Sequence, residues 1–176
     1  CCVALICLYK LIISADSKTY IATGILYGIS FYTYFYLWTY LTVLYGVVGL
    51  YLLWRRDYVT LFSLAKSVGL ALIISSYYWV DVLRLFNQPG FADFQDRFSL
   101  GRHPDIVERV VNLRPHLITI VGFILAISRR RINYIYLFIV TVTAELMWKM
   151  PIVIGRDYQS LHYAYHLYGP LAGITL

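Results

Sequence analysis

Between Lys18 and Arg55 the chain carries 36 consecutive residues without a charged side chain. Wound as one helix at about 1.5 Å per residue, they would extend well past the roughly 30 Å apolar core of a bilayer, so this stretch holds more than one simple crossing. The rest of the chain agrees. Of 176 residues, 60% are hydrophobic and only 14% charged, against about 25% charged in a soluble domain. Together with a mean hydropathy of +0.66, this argues against a soluble globular domain, a disordered tail or a disulfide scaffold. The expected class is all-α, a polytopic membrane helical bundle of about six segments forming a single integral membrane domain over 1–176. Its first and last segments read as truncated. The three cysteines Cys1, Cys2 and Cys7 crowd the start of the chain, and an odd set so placed cannot frame a fold. With no leading Met, Cys1 is read either as a lipid-modified cysteine or as an incomplete N-terminus.

Within the uncharged stretch, residues 31–40 (FYTYFYLWTY) hold seven aromatics in ten. Tyr and Trp collect at membrane–water boundaries, which places an interface there. A crossing is then expected from Leu37 to Trp54, with Tyr20–Tyr36 as an interfacial helix or part of a longer, tilted one. Gly24-x-x-x-Gly28 would let a second helix approach closely. Further crossings are expected over Tyr58–Val80, His116–Ser128 and Ile132–Trp148, and a last apolar stretch begins near Leu161. Residues 84–114 form a polar connection in which Ile106, Val107, Val110, Val111 and Leu113 recur at helical spacing, as in an amphipathic helix lying on the interface.

The net charge of +6 sits in loops between apolar runs. That pattern points to acidic lipid headgroups as partner and away from nucleic acid. The short basic turns Arg55-Arg56-Asp57 and Arg129-Arg130-Arg131 are expected on one membrane face, cytoplasmic or matrix by the positive-inside rule; an endomembrane and the mitochondrial inner membrane both stay open.

Polar residues gather at the helix ends on the opposite face: Thr42, Asp81, Asn112, Arg114, His116, Glu145, Lys149, His162 and His166. Ionisable groups in or near an apolar slab are functional candidates by default. Each also has a structural role open to it. A membrane-helix threonine commonly donates its hydroxyl to the carbonyl one turn back. Glu145 and Lys149 are spaced i, i+4 in the favourable order for an ion pair, Asp81 and Arg84 i, i+3, and Lys66 can snorkel outward. His162 and His166 share a helical face, but no Cys or carboxylate joins them at ligand spacing, so no metal site is expected. A hydroxyl becomes a nucleophile when a nearby base takes its proton, and His is the usual base. Thr42 and His116, on different helices at similar depth, meet that minimum for acyl transfer to a lipid ester. Asp81 or Asn112 would orient the base or the substrate, and Asn112, Arg114 or a tyrosine hydroxyl are candidate oxyanion donors. No cofactor is required.

The run Trp38-Thr39-Tyr40-Leu41-Thr42 resembles the motif around the nucleophile of the androgen-induced-gene (androgen-dependent TFPI-regulating protein) family. Leu64-Ala65, Val68-Gly69 and Tyr77-Tyr78-Trp79-Val80-Asp81 are similar to its third helix. Asn112-Leu113-Arg114-Pro115-His116 resembles its Asn-His-x-x-His stretch, and Trp148 and Tyr168-Gly169-Pro170 fit its last helices more loosely. The likeness runs from Trp38 to Pro170 in scattered short matches. It implies a divergent member of a family of six-helix membrane threonine hydrolases that cleave fatty acid esters of hydroxy fatty acids, with Thr42 as nucleophile and His116 as catalytic base. Leu113 stands where the family has its first His, and Lys66-Ser67 replaces an apolar residue and a Pro.

Two other readings stand beside it. One is a non-catalytic subunit of a larger membrane assembly, such as a respiratory or ATP-synthase complex, with neighbouring subunits as partners. The other is a b-type haem or quinone-associated subunit in which His116 pairs with His162 or His166.

Overall fold

A computed structural model describes residues 2–33, 35–89 and 113–154, all helices and short turns with no strand among them. Two compact units, Cys1–Gln88 and Pro89–Leu176, divide within the polar connection expected over 84–114.

The first unit holds α1 (Cys2–Ser14), α2 (Ser17–Ser30), α3 (Phe35–Trp54), α4 (Tyr58–Ile74) and α5 (Ser76–Phe86). The turns after α1 and α3 are built alike. Ala15 and Arg56 take left-handed backbone, with φ of 49° and 57°, and an Asp follows each. Asp16 accepts the Thr19 amide at 2.7 Å, and Asp57 accepts both the amide and the hydroxyl of Thr60. The left-handed residue stops one helix and the Asp caps the next, so the chain reverses in very few residues. At Arg56 the closure is double: its amide reaches the Leu53 carbonyl and the Asp57 amide reaches Leu52, both at 3.0 Å.

The principal packing in this unit is α2 along α4. A Cβ on Gly24 would stand 2.7 Å from the Ser67 carbonyl oxygen, and one on Gly28 would stand 2.8 Å from Cβ of Ile74. The Gly24-x-x-x-Gly28 spacing therefore serves as a helix-approach motif, as its sequence suggests. Around this seam the buried polar residues are hydroxyls bonded to local carbonyls, Thr23 to Thr19 and Ser67 to Leu64. α3 buries Tyr40, Leu41, Leu44, Tyr45, Val48 and Leu52.

α3 is long and apolar enough to cross a membrane. The crossing expected as one segment over Tyr58–Val80 is broken at Ser75, where α4 and α5 meet at 56°. The cause is a side chain inserted into the helical ladder. Tyr32 donates its hydroxyl to the Ile74 carbonyl at 2.8 Å and accepts the Tyr78 amide at 3.4 Å. An unbroken helix would have joined those two backbone groups directly. The Tyr20–Tyr36 stretch likewise differs from a single long helix, because α2 stops at Ser30 and a turn over 31–33 precedes α3.

The described part of the second unit is a helical hairpin, α6 (Leu113–Arg129) and α7 (Ile132–Ile154), reversed at Arg130, the third left-handed residue, with φ of 49°. Gly122 brings the helices close: its Cβ would meet the Thr141 hydroxyl at 3.1 Å, while Phe123 and Phe138 rings pack 5.4 Å apart. The amphipathic helix expected around 106–113 falls almost wholly outside the described residues.

Candidate functional site

Thr42 lies on the face of α3 turned toward α2. Its hydroxyl donates to the Trp38 carbonyl at 2.7 Å, the bond that a helical threonine ordinarily makes. A second partner was not legible in the sequence. The Tyr27 hydroxyl lies 2.7 Å from Thr42 Oγ1. Since the threonine has one proton and it is committed to Trp38, Tyr27 is the donor. Tyr27 is buried, its ring 4.4 Å from Tyr45 and 5.3 Å from Phe31. The Tyr45 hydroxyl in turn reaches back to the Thr23 carbonyl at 3.2 Å. Fifteen residues separate Tyr27 from Thr42 and the chain reverses between them, so no periodicity could have paired them.

The turn over 31–33 brings the aromatics expected at an interface onto the start of α5. Phe31 stacks on Trp38 with centroids 4.9 Å apart and an interplanar angle of 18°. Tyr78 and Trp79 close on both of them, each at between 5.5 and 5.9 Å. Phe31, Tyr32, Phe35 and Trp38 thus form an interhelix cluster with Tyr78 and Trp79 beside Thr42.

His116 is held by Glu145, the carboxylate whose spacing suggests a pair with Lys149. Its Nδ1 stands 2.6 Å from Glu145 Oε1, and Lys149 Nζ reaches the same oxygen at 3.1 Å. The Thr119 hydroxyl also bonds the Glu145 carboxylate. His116 and Glu145 are only 20% and 14% exposed, while Lys149 is 39% exposed. The expected Glu145–Lys149 pair is therefore present but is half of a larger arrangement. With Nδ1–H donated to Glu145, the imidazole keeps its lone pair on Nε2, the nitrogen a general base uses.

The other candidates are placed as follows. Asp81, expected to orient the base or the substrate, pairs with Arg84 at 3.5 Å on an exposed stretch of α5. Such a pair contributes at most about 1 kcal/mol. Arg114 lies in the first turn of α6, but its side chain, like Asn112, His162, His166 and Tyr168-Gly169-Pro170, lies outside the described residues. Lys66 is exposed, its ammonium 4.6 Å from the Phe62 ring centroid and 5.5 Å from that of Tyr20. Among the described residues no group of three or more His, Cys, Asp or Glu could hold a metal ion.

The chain matches no family model, no curated protein and no solved structure.

Proposed function

We propose that the chain is a polytopic membrane protein of about six segments and a threonine-dependent lipid ester hydrolase, a divergent relative of the androgen-induced-gene family. A lipid surround is supported by an inverted surface. Leu50, Val59 and Ile73 are 68%, 74% and 72% exposed, while Thr23, Ser67, Thr141 and Thr143 are buried between helices. Small and hydroxyl residues between helices, with branched apolar ones outside, suit association in lipid.

The observation that carries the hydrolase reading is the His116–Glu145 bond, because a carboxylate fixing the Nδ1 tautomer is what a histidine base needs. In this reading His116 Nε2 takes the Thr42 proton while Oγ1 attacks the ester carbonyl. The oxyanion collapses to an acyl-threonine and the departing alcohol takes the proton from His116. Water, deprotonated by the same nitrogen, then releases the acid and restores Thr42. Thr42 stands 13 residues before Arg55 and His116 the same number before Arg129. Each therefore lies about 20 Å along its own helix from a basic turn.

A fluorophosphonate probe tests this directly. The threonine oxygen displaces fluoride from phosphorus and is left covalently labelled. Labelling of wild type that disappears in Thr42→Ala and in His116→Ala is the expected result; labelling that persists in either folded variant removes the reading. A second reading, a non-catalytic subunit, is favoured by the Thr42–Trp38 bond, which occupies the hydroxyl proton in a purely structural role. It would be supported by an unlabelled wild-type protein that co-purifies with stoichiometric partners.

A further inference from the structure

Thr42 Oγ1 has a second polar partner beyond the carbonyl one turn back. A helical threonine is satisfied by its own carbonyl, yet here a buried phenol is also aimed at its oxygen. The geometry points to Tyr27 as the hydrogen-bond donor that positions Thr42 Oγ1 and stabilises the charge that develops on it, an inference that rests on the hydrolase reading.

Three features hold Tyr27 in that role. Its ring is clamped between Phe31 and Tyr45 at 5.3 and 4.4 Å, so the hydroxyl is fixed without help from solvent. The direction of the bond is set, since Thr42 gives its proton to Trp38 and Oγ1 receives one from Tyr27, both at 2.7 Å. The Trp38 carbonyl belongs to a residue whose ring stacks on Phe31, so donor and acceptor rest on the same aromatic cluster.

The chemistry follows. For reaction the threonine O–H turns from the Trp38 carbonyl to the base, and its proton leaves for His116 Nε2. Negative charge builds on Oγ1 as its proton leaves, and passes to the ester carbonyl oxygen as the bond to carbon forms. Tyr27 keeps its own proton and donates throughout, and a donor to a charged oxygen is stronger than one to a neutral oxygen. The same contact assists the second half-reaction, when the acyl–oxygen bond breaks and Oγ1 must leave as an oxyanion before it takes a proton back from His116. The bond exists at rest and strengthens where charge develops, and that difference is what lowers a barrier rather than tightening a ground state.

The experiment follows the rate of fluorophosphonate labelling of the full chain in detergent across pH. It uses wild type, Thr42→Ala, Tyr27→Phe and, as a packing control, Tyr45→Phe, which removes the hydroxyl that bonds the Thr23 carbonyl. The expected result is that Tyr27→Phe slows labelling by about 10- to 100-fold and moves its rise with pH to higher pH, while Tyr45→Phe labels as wild type does. Incorporation of difluorotyrosine at position 27, which keeps ring and hydroxyl but makes the phenol more acidic, should move that rise to lower pH. This arm serves even if Tyr27→Phe proves unstable. If wild type labels and Thr42→Ala does not, an unchanged rate and pH profile in the Tyr27 variants overturns the role of Tyr27 and leaves the hydrolase reading standing. If Thr42→Ala labels like wild type, or wild type does not label, the hydrolase reading falls and this role falls with it.

Discussion

His116 Nδ1 and Glu145 Oε1 lie 2.6 Å apart, joining the two arms of the α6–α7 hairpin across 29 residues. The contact is too short and too sheltered to be an incidental surface pair. It links a histidine to a carboxylate that also holds Lys149 at 3.1 Å. Removing the carboxylate leaves three donors, His116, Lys149 and Thr119, in a largely apolar hairpin without this acceptor.

Glu145→Ala is therefore expected to destabilise the protein by about 1–3 kcal/mol, the usual cost of losing a hydrogen bond to a charged group. It should also lower fluorophosphonate labelling by at least roughly 100-fold, because the imidazole tautomer is no longer set. Thermal melts in detergent and labelling rates read the two effects separately. A stability loss with undiminished labelling would mean that Glu145 is structural only.

The seam between α2 and α4 makes opposite predictions for different glycines. Gly24→Ala places a methyl 2.7 Å from a backbone oxygen that cannot move aside cheaply, and should cost about 1–3 kcal/mol. Gly69→Ala on α4 meets nothing within 4 Å, and should add a few tenths to about 1 kcal/mol through helix propensity alone. Melting temperatures that shift in the same direction for both variants would contradict the packing described for the seam.

Tyr32→Phe removes the hydroxyl that spans the break between α4 and α5. Two hydrogen bonds are lost, worth about 0.5–1.5 kcal/mol each, and the Tyr78 amide loses its acceptor. Hydrogen exchange at Tyr78 should accelerate while the core of α3 keeps its protection. Equal protection at Tyr78 in both proteins would show that the bend has another cause.

Asp16 supplies the pH dependence. It is fully exposed in the turn before α2, and the Thr19 amide hydrogen bond holds its carboxyl below the ordinary carboxylate range. A depressed folded-state pKa means that the stabilisation is present above the unfolded value and is lost as pH falls through the folded value. Acid should therefore destabilise wild type in that window, and Asp16→Asn, whose amide oxygen still caps the helix, should remove this part of the loss. Melting temperature followed from pH 6 down to pH 2 measures it.

Much of the architecture was legible in the chain. The basic turns at Arg55–Asp57 and Arg129–Arg131 mark real helix reversals, and the span from Leu37 to Trp54 is a helix beginning two residues earlier. Gly24 and Gly28 announce a close helix contact, although not which helix would fill it. The i, i+4 and i, i+3 ion pairs, Glu145–Lys149 and Asp81–Arg84, form as their spacing suggests. The kink at Ser75 was not legible, because it depends on a tyrosine 43 residues upstream in the chain. Nor was the partner of His116, since the nearest carboxylates in the chain offered no better claim than any other.

By itself, the sequence determined those helix ends that local turns and caps make, as at Arg55–Asp57 and Arg129–Arg131, because hydropathy, turn residues and caps act among close neighbours in the chain. Only the tertiary structure decided which polar groups meet: Tyr27 with Thr42, Tyr32 with Ile74, His116 with Glu145. Those bonds depend on how each helix is rotated about its axis and how far it slides against the next. Both are set by packing at contacts such as Gly24 on Ser67 and Gly122 on Thr141 rather than by any local pattern.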